Sequence, residues 1–161
     1  MTKAALGALA ICVAAAVLEG LFAGREVKRR LAELRQPPHS PPFGVWVAIG
    51  LAYYLICFVV LTRLGDSATS PLRWLAFALV VALLIGNAAW NLTFFRHKNI
   101  EASAIVSLVY AAVALSVAVL LAVVDSVSAL VFLPYLVYLA YGTWWVLALR
   151  RLNRGVGSEV A

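Results

Sequence analysis

Five long apolar stretches, separated by short polar segments, dominate the pattern of hydrophobic and polar positions along the chain. They lie at residues 4–22, 43–62, 74–95, 102–124 and 127–149. A helix needs about 20 predominantly apolar residues to cross a bilayer. Backbone polar groups in lipid must be hydrogen-bonded internally, so these stretches predict helices rather than strands. We therefore expect an all-α bundle of five transmembrane helices, forming a single domain over residues 1–161.

The composition supports a membrane environment for these stretches. Hydrophobic residues make up 65% of the chain and charged residues 12%, and the mean hydropathy is +0.98. Soluble domains are about 45–50% apolar and about 25% charged. This composition excludes a disordered chain, an ordinary nucleic-acid-binding protein and a disulfide scaffold. Cys12 and Cys57 lie within apolar runs, and we expect both to be small buried hydrophobes.

The basic residues predict the orientation of the helices across the membrane. Of the 13 Lys and Arg residues, Lys3, Arg63 and Arg73 fall on the amino-terminal side, and the other ten fall on the opposite side. Because basic residues gather in cytoplasmic loops, we expect the amino terminus outside and the carboxyl terminus in the cytoplasm of a prokaryotic cell. The basic cluster follows the first stretch, which favours a membrane helix over a cleavable signal peptide.

The connection at residues 25–42 is the only long one, and its two halves differ. The first half, REVKRRLAELR, predicts a short helix with Val27, Leu31 and Leu34 along one side. We interpret it as an interfacial extension of the first span, with a basic site for lipid headgroups as the alternative. The second half, residues 36–42, contains four prolines and cannot be helical. It predicts a stiff loop across the cytoplasmic end of the bundle.

Few polar residues lie deep within the spans, so each of them is informative. Asn87, Trp90, Asn91 and Phe94 share one face of the third span. Asn87 is either a hydrogen-bonding contact between helices or a polar anchor in a ligand pocket, with Trp90 as an aromatic wall. Glu19 lies near the cytoplasmic end of the first span. We expect it to be interfacial and paired with a nearby Arg or Lys, with a proton or substrate role as the alternative.

Pro134 lies within the fifth span and is followed by Tyr135 and Tyr138. A proline in a helix frees a carbonyl and produces a kink. A kink beside aromatic side chains can form a cavity or simply fit the helix into its bundle.

The tryptophans are expected to serve mainly as membrane anchors. Trp46 and Trp74 lie near span ends, and Trp144 and Trp145 lie in the cytoplasmic half of the fifth span. Tryptophan is enriched at membrane interfaces. Only Trp90 shares a helix face with an amide at depth, so the argument for a ligand depends on this residue.

Small residues predict close helix packing. Gly20 and Gly24 form a GxxxG motif, and the fourth span carries small residues at a spacing of four. The fourth-span residues are Ser103, Ser107, Ala111, Ala114, Ala118 and Ala122. We interpret both sets as packing seams within the chain, with a homodimer face as the alternative.

Catalytic chemistry has little support in the sequence. His39 and His97 lie in connections without metal-ligand spacing around them, and we expect both to be solvated. The chain shows no nucleophile–base set, no phosphate-binding glycine loop and no paired carboxylates at depth. We therefore expect neither a catalytic site nor a metal site, and no nucleic-acid partner.

Several short motifs, taken together, resemble the TspO/MBR family of tryptophan-rich sensory and translocator proteins. The resemblance covers residues 31–153. It is carried by Gln36-Pro37-Pro38-His39-Ser40-Pro41-Pro42, by Asn87 with Trp90 and Phe94-Phe95, by Pro134-Tyr135-Leu136 with Tyr138, and by Leu152-Asn153.

The resemblance implies a five-helix bundle with a cavity covered by the long connection as a lid. It implies binding of a tetrapyrrole, such as protoporphyrin or haem, or of a similar flat hydrophobic ligand, without a required cofactor. The role implied is sensory, regulatory or transport-related, in contact with membrane lipid. Carried over by position, the pocket residues are Tyr54, Asn87, Trp90, Pro134, Tyr135 and Tyr138. The lid and mouth residues are Arg35, Pro37, His39, Pro41 and Pro42, with Arg35 placed to meet ligand propionates.

The sequence departs from the family pattern at several positions. Pro38 and His39 stand where the family usually has Trp, and Gly50 takes the place of a further Trp. These departures motivate an alternative function, that of a structural or interaction subunit whose pocket is vestigial.

Overall fold

The computed structural model describes residues 1–66 and 70–154, and every regular element within them is helical. The helices are α1 (Lys3–Ala23), α2 (Val27–Glu33), α3 (Phe43–Asp66), α4 (Pro71–Asn91), α5 (Ile100–Val124) and α6 (Ser126–Leu152). All of them except α2 are long and apolar enough to cross a membrane. The predicted all-α fold with five membrane helices is therefore confirmed.

Polar caps extend the helices beyond the apolar stretches. The third stretch begins at residue 74, whereas α4 begins at Pro71, because the Ser70 side chain accepts a hydrogen bond from the Arg73 backbone at 3.3 Å. The Asn99 side chain likewise accepts from the Ala102 backbone at 2.9 Å and begins α5. The apolar stretches leave out these first turns because each contains a charged residue, Arg73 in α4 and Glu101 in α5.

The helices alternate in direction along the chain and pack as a bundle in which α1 contacts α3 and α4, α4 contacts α5, and α3 contacts α6. The most extensively packed pair is the α5–α6 hairpin, whose helices are separated by Asp125 alone. The end of the bundle that carries α2 also carries the ten basic residues that the sequence groups together, and we call it the basic end. The other end, which holds Asp125, is the hairpin end.

Ionic and polar contacts close the hairpin end. Two guanidinium nitrogens of Arg63 each donate to the Asp125 carboxylate at 3.0 Å, and the Ser128 hydroxyl donates to it at 2.8 Å. Arg73 donates to the Val124 carbonyl at 2.8 Å. Because Arg63 belongs to α3 and Arg73 to α4, these contacts fasten both helices to the α5–α6 turn.

Two apolar clusters fill the interior. The larger lies among α1, α3, α4, α5 and α6, and Val60, Leu61, Val117 and Leu121 within it are fully buried. The smaller lies at the basic end and joins Leu34 to aromatic and aliphatic residues of α4 and α6. The outer faces of the long helices expose apolar side chains, as expected of a surface that contacts lipid.

The small residues divide into packed and unpacked sets. Ser103, Ser107 and Ala114 of α5 are buried whereas Ala122 is exposed, so the predicted seam lies inside the bundle except at its last residue. A Cβ added at Gly20 or Gly24 would meet no atom within 4 Å. The prediction that the GxxxG motif packs within the chain is therefore wrong, and Gly24 instead ends α1 with a φ of 72°.

The contacts of Asp125 predict how the stability of the bundle depends on pH. Hydrogen bonding to Arg63 lowers the pKa of Asp125 from 3.8 to about 2. The carboxylate therefore contributes stability that is fully present above pH 4 and is lost as the pH falls towards 2. We expect Asp125→Asn to lower the thermal unfolding midpoint in detergent by about 3 °C at pH 7.

Circular dichroism melts of both proteins between pH 7 and pH 2 measure this contribution. The difference between native protein and Asp125→Asn is expected to shrink as the pH approaches 2. Asp66→Asn, which removes an exposed carboxylate at the same end, is the matched control. A constant difference across the whole range would contradict the assignment.

Candidate functional site

A cavity of about 460 Å³ lies within the half of the bundle that faces the basic end. Residues from all six helices line it. Small-molecule sites commonly measure about 300–1,000 Å³ and combine apolar walls with a few polar groups. The size and composition of this cavity are those of a ligand site.

Three polar side chains from three helices meet at the cavity wall. The Glu19 carboxylate of α1 accepts a hydrogen bond from the Tyr54 hydroxyl of α3 at 2.6 Å and another from the Asn87 amide of α4 at 2.7 Å. We call these three residues the Glu19 cluster. The expected pairing of Glu19 with a nearby Arg or Lys is wrong, because both of its partners are neutral side chains on other helices.

Trp90 forms an aromatic wall one helical turn from Asn87. Its ring stacks on Phe94 with centroids 4.7 Å apart and an interplanar angle of 11°, and it meets Phe95 edge-on. These phenylalanines lie in Leu92–Arg96, where α4 continues as a π-helical turn. The wider turn places Phe94 in the core and Phe95 at the cavity. Such π-helical turns frequently occur at functional sites.

A layer of tyrosines from α3, α5 and α6 forms another part of the wall. The Tyr110 hydroxyl donates to the Tyr53 hydroxyl at 3.1 Å and is hydrogen-bonded to the Tyr135 hydroxyl. All three side chains are buried and line the cavity. Because the hydroxyls satisfy one another, this part of the wall presents mainly ring surface to a ligand.

Two further tryptophans contribute to the cavity. Trp46 packs against Trp145 with centroids 4.9 Å apart and against Tyr138 at 6.3 Å, and all three residues line the cavity. Trp74 and Trp144 are exposed on the outside of the bundle, as expected of membrane anchors. The interpretation of Trp46 and Trp145 as anchors is therefore wrong, and three tryptophans surround the cavity instead of one.

Most of the predicted pocket residues are brought together by the fold. Tyr54, Asn87, Trp90, Tyr135 and Tyr138 line the cavity. Pro134 does not line it, and its side chain is exposed on the outer face of α6. Successive residues of a helix point about 100° apart, so Pro134 faces away when Tyr135 faces inward.

None of the five predicted lid residues lines the cavity, and two of them, Arg35 and His39, fasten the connection to α6 and to the Asn153 that follows it. The five are Arg35, Pro37, His39, Pro41 and Pro42. The Arg35 backbone exchanges two hydrogen bonds with the Asn153 side chain, at 3.0 and 3.1 Å. Tyr141 donates to the His39 carbonyl at 3.2 Å, and the Trp145 indole donates to the Ser40 hydroxyl at 2.9 Å. The connection is therefore held in place at three points.

The side chains that cover the cavity come from the apolar face of α2 and the start of α3. Val27, Leu31 and Phe43 line it. The i, i+4 spacing of Val27 and Leu31 marks this face in the sequence. The interpretation of α2 as a purely interfacial extension did not anticipate that its apolar face covers the cavity.

The sequence matches the family described as TspO/MBR over residues 8–151. The chain belongs to the TspO/MBR family. The match covers residues of every helix that contributes to the cavity. The cavity therefore lies within the TspO/MBR part of the chain. A search of the curated proteins finds no match.

The contact between Asn153 and Arg35 predicts that one amide holds the TspO/MBR lid closed. Asn153→Leu removes both hydrogen bonds to the Arg35 backbone, each worth about 0.5–1.5 kcal/mol, and we expect it to destabilise the connection by about 1–3 kcal/mol. Hydrogen–deuterium exchange of residues 31–42 in detergent measures this effect as faster exchange. Arg151→Ala, an exposed neighbour on α6, is the control. Unchanged exchange in Asn153→Leu would contradict this role.

Proposed function

We propose that this TspO/MBR protein binds a flat hydrophobic ligand in the cavity, and that the ligand is a tetrapyrrole such as protoporphyrin or haem. The observation that carries the proposal is the ring of aromatic side chains from α3, α4 and α6 around a space of about 460 Å³. The role of this binding is sensory, regulatory or transport-related rather than catalytic.

The chemistry of the walls supports a flat aromatic ligand. Trp46, Trp90 and Tyr138 present rings to the cavity from three different helices. Aromatic faces stack favourably on other π systems, and each such pair contributes about 0.5–1.5 kcal/mol beyond burial of its area. A macrocycle contacts several of these rings at once, whereas a linear acyl chain does not make stacking contacts.

The basic residues of α2 support a binding mode in which the propionates of a tetrapyrrole lie beside this helix. This helix contributes Val27 and Leu31 to the wall and also carries Lys28, Arg29 and Arg30. Basic side chains therefore lie beside the apolar cover, where ligand propionates would remain in contact with water. The same distribution of charge supports our proposal that the basic end faces the cytoplasm.

The open cavity favours ligand binding over a purely structural role. A structural or interaction subunit with a vestigial pocket is expected to have a filled interior. Gly50 instead lines the cavity, and a Cβ built there would meet no atom within 4 Å. The position at which the family usually has a tryptophan therefore leaves additional room.

Titration of the purified protein with protoporphyrin and with haem tests the proposal. We expect saturable changes in tetrapyrrole absorbance, and affinity reduced about fivefold or more in Trp90→Leu because one stacking wall is lost. Trp74→Leu removes an exposed tryptophan outside the cavity and is expected to bind as the native protein does. Absence of saturable binding to the native protein, or equal affinities in the two variants, would overturn the proposal.

A second experiment fills the cavity without removing an aromatic ring. Gly50→Leu places a branched side chain in open space within the cavity, and we expect tetrapyrrole affinity to fall about tenfold while the melting temperature changes little. Gly44→Leu makes the same change at an exposed position of α3 outside the cavity lining. Binding that is equal in the two variants would place the ligand elsewhere on the protein.

A further inference from the structure

The charge inside the cavity is opposite in sign to the charge around it. Glu19 is the only charged side chain that lines the cavity within residues 1–66 and 70–154. Ten Lys and Arg residues lie at the same end of the bundle, yet none of them is part of the lining. A ligand that enters the cavity therefore meets a carboxylate and no basic side chain.

Both hydrogen-bond partners of Glu19 are neutral side chains, so its carboxylate has no cationic partner among them. The Tyr54 hydroxyl and the Asn87 amide both donate to the same carboxylate oxygen. Four other carboxylates of the described chain form ion pairs: Glu26, Glu33, Glu101 and Asp125. Within the same residues, Glu19 forms none.

We propose that Glu19 makes the cavity selective for aromatic hydrophobic ligands that carry a protonated nitrogen. The inference rests on the proposed function, since it uses the same cavity, and it adds a charge preference among the ligands of that cavity. Haem and protoporphyrin carry no protonated nitrogen at neutral pH and do not draw on this preference. A charge-assisted hydrogen bond from an ammonium or an iminium nitrogen gives the partly buried carboxylate the opposite charge that it lacks. The surrounding rings of Trp46, Trp90 and Tyr138 also attract a cation through their faces.

The same charge disfavours acidic groups inside the cavity. A ligand carboxylate close to Glu19 would experience like-charge repulsion in a region of low dielectric constant. A ligand that carries both a nitrogen donor and carboxylates is therefore expected to direct the nitrogen towards Glu19 and the carboxylates towards the basic residues of α2. Glu19 is thus expected to determine the orientation of the bound ligand as well as the preference for a protonated nitrogen.

Three tricyclic probes of nearly equal size separate charge from shape. 9-Aminoacridine is a cation at neutral pH, anthracene is neutral, and 9-anthracenecarboxylate is an anion. We expect native protein in detergent to bind the cation at least tenfold more tightly than anthracene, and the anion most weakly. Fluorescence titration measures all three affinities with the same protein preparation.

Glu19→Gln identifies the group responsible for the preference. The substitution preserves size and hydrogen-bonding capacity but removes the charge, so we expect the cation to lose about tenfold in affinity while anthracene is unaffected. Glu33→Gln removes an exposed carboxylate of α2 outside the cavity lining, and its selectivity is expected to match that of the native protein. Selectivity that persists in Glu19→Gln overturns the inference.

The native protein alone also decides the question if Glu19→Gln does not fold. Equal affinities for the cation and anthracene, or no binding of any probe, overturn the inference without use of a variant. A protein that binds protoporphyrin but shows no preference for the cation retains the proposed function and loses the inference. A protein that binds neither protoporphyrin nor any probe loses both.

Discussion

Lipid gives membrane helices no hydrophobic reason to associate, so the arrangement of this bundle depends on polar contacts at depth and on close packing. The Glu19 cluster is the contact that joins the first three long helices. Glu19 lies on α1, Tyr54 on α3 and Asn87 on α4, and their side chains meet within 2.7 Å. A carboxylate within a span is costly unless it is hydrogen-bonded. Sliding any one of these helices along its axis would remove a partner from that carboxylate.

The cavity follows from how the two ends of the bundle are closed. At the hairpin end, Asp125 fastens α3 to the α5–α6 turn, and large side chains such as Leu61 and Leu121 fill the space between the helices. At the basic end, the helices are joined around the open space, through Asn153 at the rim and the Glu19 cluster in the cavity wall. The wall there includes residues as small as Gly50. These contacts at the rim and in the wall hold the helices in place without filling the space between them, so the cavity remains open.

The sequence predicts the membrane helices well because lipid requires long apolar segments, and it predicts part of the cavity because Asn87 and Trp90 share a helical face. Other features depend on contacts that no local pattern contains. Glu19 and Asn87 are 68 residues apart in the chain, so the position of Glu19 near a helix end indicated an interfacial residue instead. Pro134 belongs to the same short motif as Tyr135, but helical geometry turns it about 100° away, onto an exposed face of α6.

The charges at the rim and inside the cavity act on a ligand in different ways. The basic side chains of α2, such as Lys28 and Arg29, are exposed to solvent, where salt screens interactions beyond about 8 Å at physiological ionic strength. They therefore influence the approach and final position of acidic groups more than they influence affinity. Glu19 lies in a partly buried, largely apolar wall, where a charge interacts more strongly because less water screens it. Steering at the rim and selection inside are thus separate properties of one site, and a substitution at one is expected to leave the other largely intact.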